Sequence, residues 1–358
     1  MAVGKRTLPQ YGHRFSRHDY VLAQHFACLV LRQFFRTDYR GIVEILRDWS
    51  ELQEILELKK LPHFTTLQKA EARLLTDLLV RKLLTQTVAA FHRRDLCEAE
   101  ADLEAYIVEL AAADSTGFVL QRASRYFICR QARAPDLRQT ATYRTYAKLA
   151  LIVDCQTHLI LATHCGMGPR PDVDELQPLL EGMCANAVPE RLAADGGYDS
   201  QHNHRLLREV YGIESLIPAV IGRPSDVLPT DGWRWLMATD FDEETYGQRW
   251  QVETVMFMLK RHQGAALRAR TDTTRRSEMA LMAVTHNILI VRPEELFYKA
   301  DLVHFLVRPT GADELGEIRA AAPPEIPDRW NRIARIRRRI ADRIGQGRNV
   351  PPPSDFAR

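Results

Sequence analysis

The sequence predicts an α/β protein flanked by a helical N-terminal part and a basic helical tail. Residues 19–94 carry apolar side chains at helical spacing behind recurrent capping patterns. From 105 to 295, short apolar and β-branched runs alternate with amphipathic helical stretches, as in a sheet covered by helices. Beyond Pro323 the pattern turns helical again, now rich in arginine. The expected divisions are a basic arm at 1–18, a helical domain at 19–104, the α/β domain at 105–297 and a C-terminal extension at 298–358.

Taken in order, the arm holds Lys5, Arg6, His13, Arg14, Arg17 and His18 and reads as a loose segment. YVLAQHFACLVLRQFF follows as a buried helix, and Thr37 and Asp38 offer a cap for YRGIVEILRDW. Ser50 with Gln53, and Thr65 with Gln68, form capping-box patterns. The first opens a short helix and the second a long one reaching about Arg94. Helix, turn and helix in this order are compatible with a helix-turn-helix reader, with Lys69, Arg73, Arg81 and Lys82 as basic contacts, or with a plain helical bundle.

AYIVELAAADSTGF reads as a strand ending at Asp114, with Ser115, Thr116 and Gly117 making the bend. Residues 119–142 interleave Arg122, Arg125, Arg130, Arg133 and Arg138 with Tyr126 and Phe127, which suits a phosphate backbone and a stacked base. KLALIVD and HLILATHCG form a hairpin, DVDELQPLLEGMCANA an amphipathic helix, RLAADGGYDS a short strand with a tight turn. HNHRLLREVYG is a helix stopped by Gly212, ESLIPAV a strand, and 221–243 an irregular loop holding Trp233 and Trp235. A last core helix runs from about Arg275 to Val291. In the tail, DRWNRIARIRRRIADRIGQGR is a basic amphipathic helix, and PPPSDFAR is expected to be disordered.

A chain of 358 residues has room for a large core. The net charge of +3 leaves nucleic acid open, because affinity depends on where charges sit. No apolar run approaches the ~18–20 residues of a membrane span, and MAVGKRTLPQYGHRF lacks a signal-peptide core. A cytoplasmic protein without a membrane partner is expected. None of the six cysteines forms a CxxC pair, and they read as reduced, buried thiols. No second pair accompanies His164–Cys165, so no structural zinc is expected.

The most informative stretch is YGQRWQVETVMFMLK, residues 246–260. At about 100° per residue, Tyr246, Arg249 and Lys260 fall within roughly 40° of Glu253, while Val252, Val255, Met256 and Leu259 occupy an adjoining apolar sector. On periodicity alone the plainer reading is favoured, a solvated face with an Arg249–Glu253 pair worth about 0.2–0.5 kcal/mol. The spacing Tyr-x2-Arg-x3-Glu-x6-Lys, however, resembles the Tyr-Arg-Glu-Lys signature of insertion-sequence DDE transposases. The resemblance extends to ADSTGF around Asp114, KLALIVD ending at Asp154 and AADGGYDS around Asp195, and covers roughly residues 105–295.

The resemblance implies an RNase H-like mixed-sheet catalytic core preceded by a DNA-binding helical domain. It implies Asp114, Asp195 and Glu253 as catalytic acids holding two Mg²⁺ or Mn²⁺ ions, with Asp154 a rival for the first acid. Asp199 and Asp172 read as cap and turn residues. Tyr246, Arg249 and Lys260 are implied to hold the DNA end, and Trp233 or Trp235 to stack on a displaced base. The implied partners are double-stranded DNA, as terminal inverted repeats and target, and a second copy of the chain in a bacterial, nucleoid-associated dimer. A nuclease without strand transfer and a non-catalytic DNA-binding regulator are the alternatives. The sequence departs from the family in lacking the Gly-rich stretch after Asp114 and in having a short loop before the signature, as in compact members.

Overall fold

The apolar runs pair into a single mixed sheet. The computed structural model describes residues 1–12, 15, 18–96, 106–120, 146–220 and 232–291. Strands β1 (Tyr106–Leu120), β2 (Tyr146–Asp154), β3 (Ile160–Gly168), β4 (Ala187–Ala194) and β5 (Glu214–Leu216) lie in the order β3-β2-β1-β4-β5. The β1–β2–β3 stretch is antiparallel, and β4 and β5 run parallel to β1. The short β6 (Ala266–Leu267) pairs with the far end of β1. A mixed sheet covered by helices is consistent with the expected RNase H-like core.

The expected bend after Asp114 does not form. Residues 111–118 of β1 pair with β2 without interruption, so the Ser-Thr-Gly turn signal yields to cross-strand pairing. Asp114 therefore sits inside a 15-residue strand. The middle of β1 has parallel β4 on one side and antiparallel β2 on the other, and Ala111, Ala112 and Ala113 are fully buried there.

Helices cover the sheet. The expected loose arm instead begins with helix α1 (Ala2–Thr7), which buries Gly4 and packs on α2 (Leu22–Phe34) and α6 (Asp77–Leu96). Asp38 caps α3 (Tyr39–Asp48) as expected, accepting from the amides of Arg40 and Gly41. Trp49, not Ser50, holds the N-cap of α4 (Ser50–Ile55). The ring of His63, not Thr65, caps α5 (Phe64–Leu74), which stops at Leu74 instead of running on to Arg94. No proline or glycine marks that break; buried Leu74 and Leu75 set it by tertiary packing. Helix α12 (Asp272–Val291), with Met279, Leu281 and Met282 buried, packs on α2, α6 and β3. Residues 1–293 thus form one compact unit in which N-terminal helices and sheet share a core.

One ionic contact is buried in the helical layer. Arg32 Nη2 lies 3.1 Å from Glu71 Oε2, both side chains under a tenth exposed, and the Tyr39 hydroxyl donates to the same carboxylate. Glu71→Ala strands the Arg32 charge and is expected to cost about 3–5 kcal/mol. Urea unfolding measures this; a loss below ~1 kcal/mol would show that water reaches Arg32.

On the other side of the sheet, the helix expected over 172–187 is a 3-10 turn at Asp172–Asp174 followed by α7 (Leu176–Glu181). Ser200 caps α8 (Gln201–Arg205), and the chain continues as a π turn to Gly212, whose φ of 68° ends the helix as expected. Part of the expected loop is α9 (Gly232–Thr239), carrying both tryptophans. The signature is not one uniform helix: α10 (Glu243–Tyr246) passes through a 3-10 turn at Gly247–Arg249 into α11 (Trp250–Gln263). Among the described residues no helix is long and apolar enough to cross a membrane. Cys28, Cys155, Cys165 and Cys184 are unbridged thiols, each pushed up to about 12 by burial. Residues 298–358, with the expected basic helix, lie outside the described residues, as do Cys97 and Cys129.

Candidate active site

The parallel register of β1 and β4 runs through Ala113 opposite Ala194. Asp114 is the next residue of β1, and Asp195 directly follows the last residue of β4, with extended backbone, as the N-cap of the 3-10 turn Gly196–Tyr198. The two acids therefore follow a paired position of adjacent strands at the same level of the sheet. Asp195 is exposed, and no hydrogen bond or ion pair among the described residues engages its carboxylate. Asp114 is half-buried, and its Oδ1 accepts from the Ser115 amide at 2.7 Å. Burial raises its pKa above the usual carboxylate value; the Ser115 amide and Arg249 oppose the rise, and the charges of Asp195 and Asp172 add to it.

Strand alternation puts Asp114, Thr116 and Phe118 on one face of β1, and α11 lies against this strand. Val252, Val255, Met256 and Leu259 are buried, as their shared sector predicts. That anchoring aims the polar sector at the strand. Arg249 donates through Nη1 to Asp114 Oδ2 at 3.3 Å and through Nη2 to Glu253 Oε1 at 2.8 Å. One rigid guanidinium thus joins an acid of the sheet to the acid of the helix. Burial works against the Arg249 charge, but Tyr246, Asp114 and Glu253 outweigh it and raise its pKa. Tyr246 stacks edge-on against Phe241 and borders an apolar patch of Leu110, Ala193 and Leu216. Lys260 Nζ donates to Thr116 Oγ1 at 2.6 Å and lies 5.5 Å from the centre of the Phe118 ring.

Among the described residues no three His, Cys, Asp or Glu side chains are gathered closely enough to hold one metal ion. The Arg249 guanidinium occupies the gap between Asp114 and Glu253. The donor set itself is all carboxylate oxygen, the chemistry of a hard divalent cation, and Asp195 is open to take one.

The rivals fall into other roles. Asp154 faces Ala111 across β2, three residues from the level of Asp114, which is about 10 Å and the opposite sheet face. It is buried at the hairpin turn, accepting from Thr157, the Gln156 amide and Tyr106, as a turn residue does. Asp199 holds the C-cap of the 3-10 turn Gly196–Tyr198, and its carboxylate accepts from Nε and Nη2 of Arg234 and from the amide of Val220. Asp172 accepts from Ser115 Oγ and pairs with Lys148, a buried lysine that also faces Glu175 at 3.5 Å. His164 pairs with that same Glu175. Sequence reading missed this cluster behind the acids; the only signal is a lysine inside an otherwise apolar strand.

Of the other expected DNA contacts, Trp233 donates to Glu209 and stacks under Arg208, whereas Trp235 is 43% exposed. Lys69 and Arg73 lie exposed, one turn apart on α5. Arg81 donates to the Met183 carbonyl. Arg122 and Arg125 lie outside the described residues.

A mixed sheet of this order, with one acid on central β1, a second just past the end of parallel β4 and a third on an adjoining helix, makes a carboxylate-rich site. Residues 109–288 match the transposase DDE domain family, and the chain belongs to that family. The matched span takes in all three acids and the whole signature. No curated protein matches the chain.

Proposed function

We propose that the chain is a DNA transposase of the Tyr-Arg-Glu-Lys type that binds the terminal inverted repeats of an insertion sequence, cleaves at the element ends and joins the freed 3′ ends to target DNA. The observation that supports it best is that Asp114 and Asp195 each follow the paired residues Ala113 and Ala194 of neighbouring strands, with Glu253 tied to Asp114 through Arg249.

Asp114, Asp195 and Glu253 would hold two Mg²⁺ or Mn²⁺ ions. When bound, such ions activate an oxygen nucleophile and stabilise the departing oxygen in phosphodiester chemistry. The chain's own residues supply the rest. Arg249 presents a planar fork suited to two phosphate oxygens, and Lys260 a point charge. Tyr246 adds a phenol beside them, and the exposed Trp235 offers a ring for an unpaired base. Lys69 and Arg73 offer a second phosphate contact on the helical layer, and Arg122 and Arg125, outside the described residues, add basic side chains suited to phosphate. Joining two ends requires two sites, so the working assembly holds two copies of the chain.

The test is a labelled duplex made from the DNA flanking the coding frame, incubated with the protein, a target plasmid and Mg²⁺. Joined product is expected. Cut but unjoined ends identify a nuclease, and binding without cutting identifies a regulator.

A further inference from the structure

The alternate residues of β1 on the α11 face form a rack for the cations of the signature. Asp114 takes Arg249; Thr116 takes Lys260; the Phe118 ring lies behind the same ammonium. The two contacts on Lys260 differ in kind from those on Lys148, which stands on the neighbouring strand β2. Lys148 is neutralised by Asp172 and Glu175. Lys260 has no carboxylate partner among the described residues; it is held by a neutral hydroxyl and the face of a ring. A neutral acceptor orients an ammonium without cancelling its charge, and it uses one of three N–H donors, leaving two for a ligand. A free lysine carries one of the largest rotamer entropies among side chains, which an anion must otherwise overcome on binding. Holding the ammonium beforehand removes much of that cost.

We infer that Thr116 is a positioning residue that, with the Phe118 ring behind it, fixes the Lys260 ammonium for a phosphate oxygen of the DNA end. This rests on the proposed end-binding role of Lys260. It also gives Thr116 a task separate from the acids, though it lies only two residues from Asp114.

Fluorescence anisotropy with the labelled flanking duplex, titrated at several salt concentrations, tests it. Thr116→Val keeps the shape and removes the hydroxyl; it is expected to weaken end binding about three- to tenfold. Thr116→Ser restores the hydroxyl and is expected to bind within twofold of the unaltered protein. In a Lys260→Ala background, Thr116→Val is expected to add nothing, because the group it positions is gone. The melting temperature of Thr116→Val should stay within a few degrees; should it fall further, Thr116→Ala carries the same expectation. Unchanged binding by Thr116→Val, or a loss that adds in full to that of Lys260→Ala, overturns the inference. If Lys260→Ala alone leaves binding and its salt slope unchanged, the assignment of Lys260 to the DNA end fails, and the inference falls with it.

Discussion

Asp195→Asn and Glu253→Gln are each expected to lower DNA cleavage by roughly a thousandfold or more while leaving fold and end binding in place. The size follows from the chemistry: losing a carboxylate that holds a divalent ion forfeits several kcal/mol of charge stabilisation at the departing oxygen. The separation from stability follows from the surroundings. Asp195 is exposed and engaged by nothing among the described residues, so an amide there disturbs no contact. It also relieves the like charge that helps raise Asp114. The Glu253 side chain is 57% exposed, and its one ion pair among the described residues is with Arg249, four residues earlier at the start of α11. Pairs of that kind contribute about 0.3–0.5 kcal/mol. Asp114→Asn is a less clean probe because Asp114 is half-buried and holds both the Ser115 amide and Arg249. Cleavage of an end-labelled duplex, read beside melting temperature and anisotropy binding, decides it. Cleavage that survives either substitution, or that falls only in step with unfolding, would remove these residues from the chemistry.

The signature helix was the most legible part of the chain. Its apolar sector is local information, and Val252, Val255, Met256 and Leu259 are buried as their spacing requires. The hairpin of β2 and β3 and the stop at Gly212 are likewise set by short-range patterns. The departures share a different cause. Ser115-Thr116-Gly117 looks like a turn until β2 is available to pair with it. Leu75 and Thr76 interrupt a helical pattern with no breaker present, because the break is fixed by distant packing. The residues now standing behind the acids come from two separate segments, Lys148 from β2 and Asp172 with Glu175 from the 3-10 turn and its C-cap, and nothing in the spacing of the two segments announces that they meet. The same holds for Arg249 and Asp114, 135 residues apart. A sequence shows which residues share a helix face; it does not show what that face meets.

That last contact leads to an expectation with two opposite signs. Arg249→Gln is expected to tighten Mn²⁺ binding by the DNA-free protein and to weaken binding of the DNA end. Asp114 offers two oxygens; the Ser115 amide takes one and Arg249 the other, while the second arm of Arg249 takes Glu253. A guanidinium and a hard divalent cation need the same lone pairs and repel one another, so they compete for this pair of acids. A phosphate of the DNA end offers Arg249 an alternative acceptor in the bidentate geometry it favours. End binding would then draw the guanidinium away from the acids and free them, and the linkage must be reciprocal: metal that displaces Arg249 favours the end as much as the end favours metal. Glutamine keeps a polar side chain and removes the charge. Mn²⁺ affinity is read by electron paramagnetic resonance of the free ion, with Asp195→Asn as the control that must lose it. The DNA arm is read from the salt dependence of binding, whose slope should fall by about one for a lost phosphate contact. Mn²⁺ binding that weakens in Arg249→Gln would mean that the guanidinium organises the acids for metal instead of withholding them, and an unchanged salt slope would place it away from the phosphate altogether.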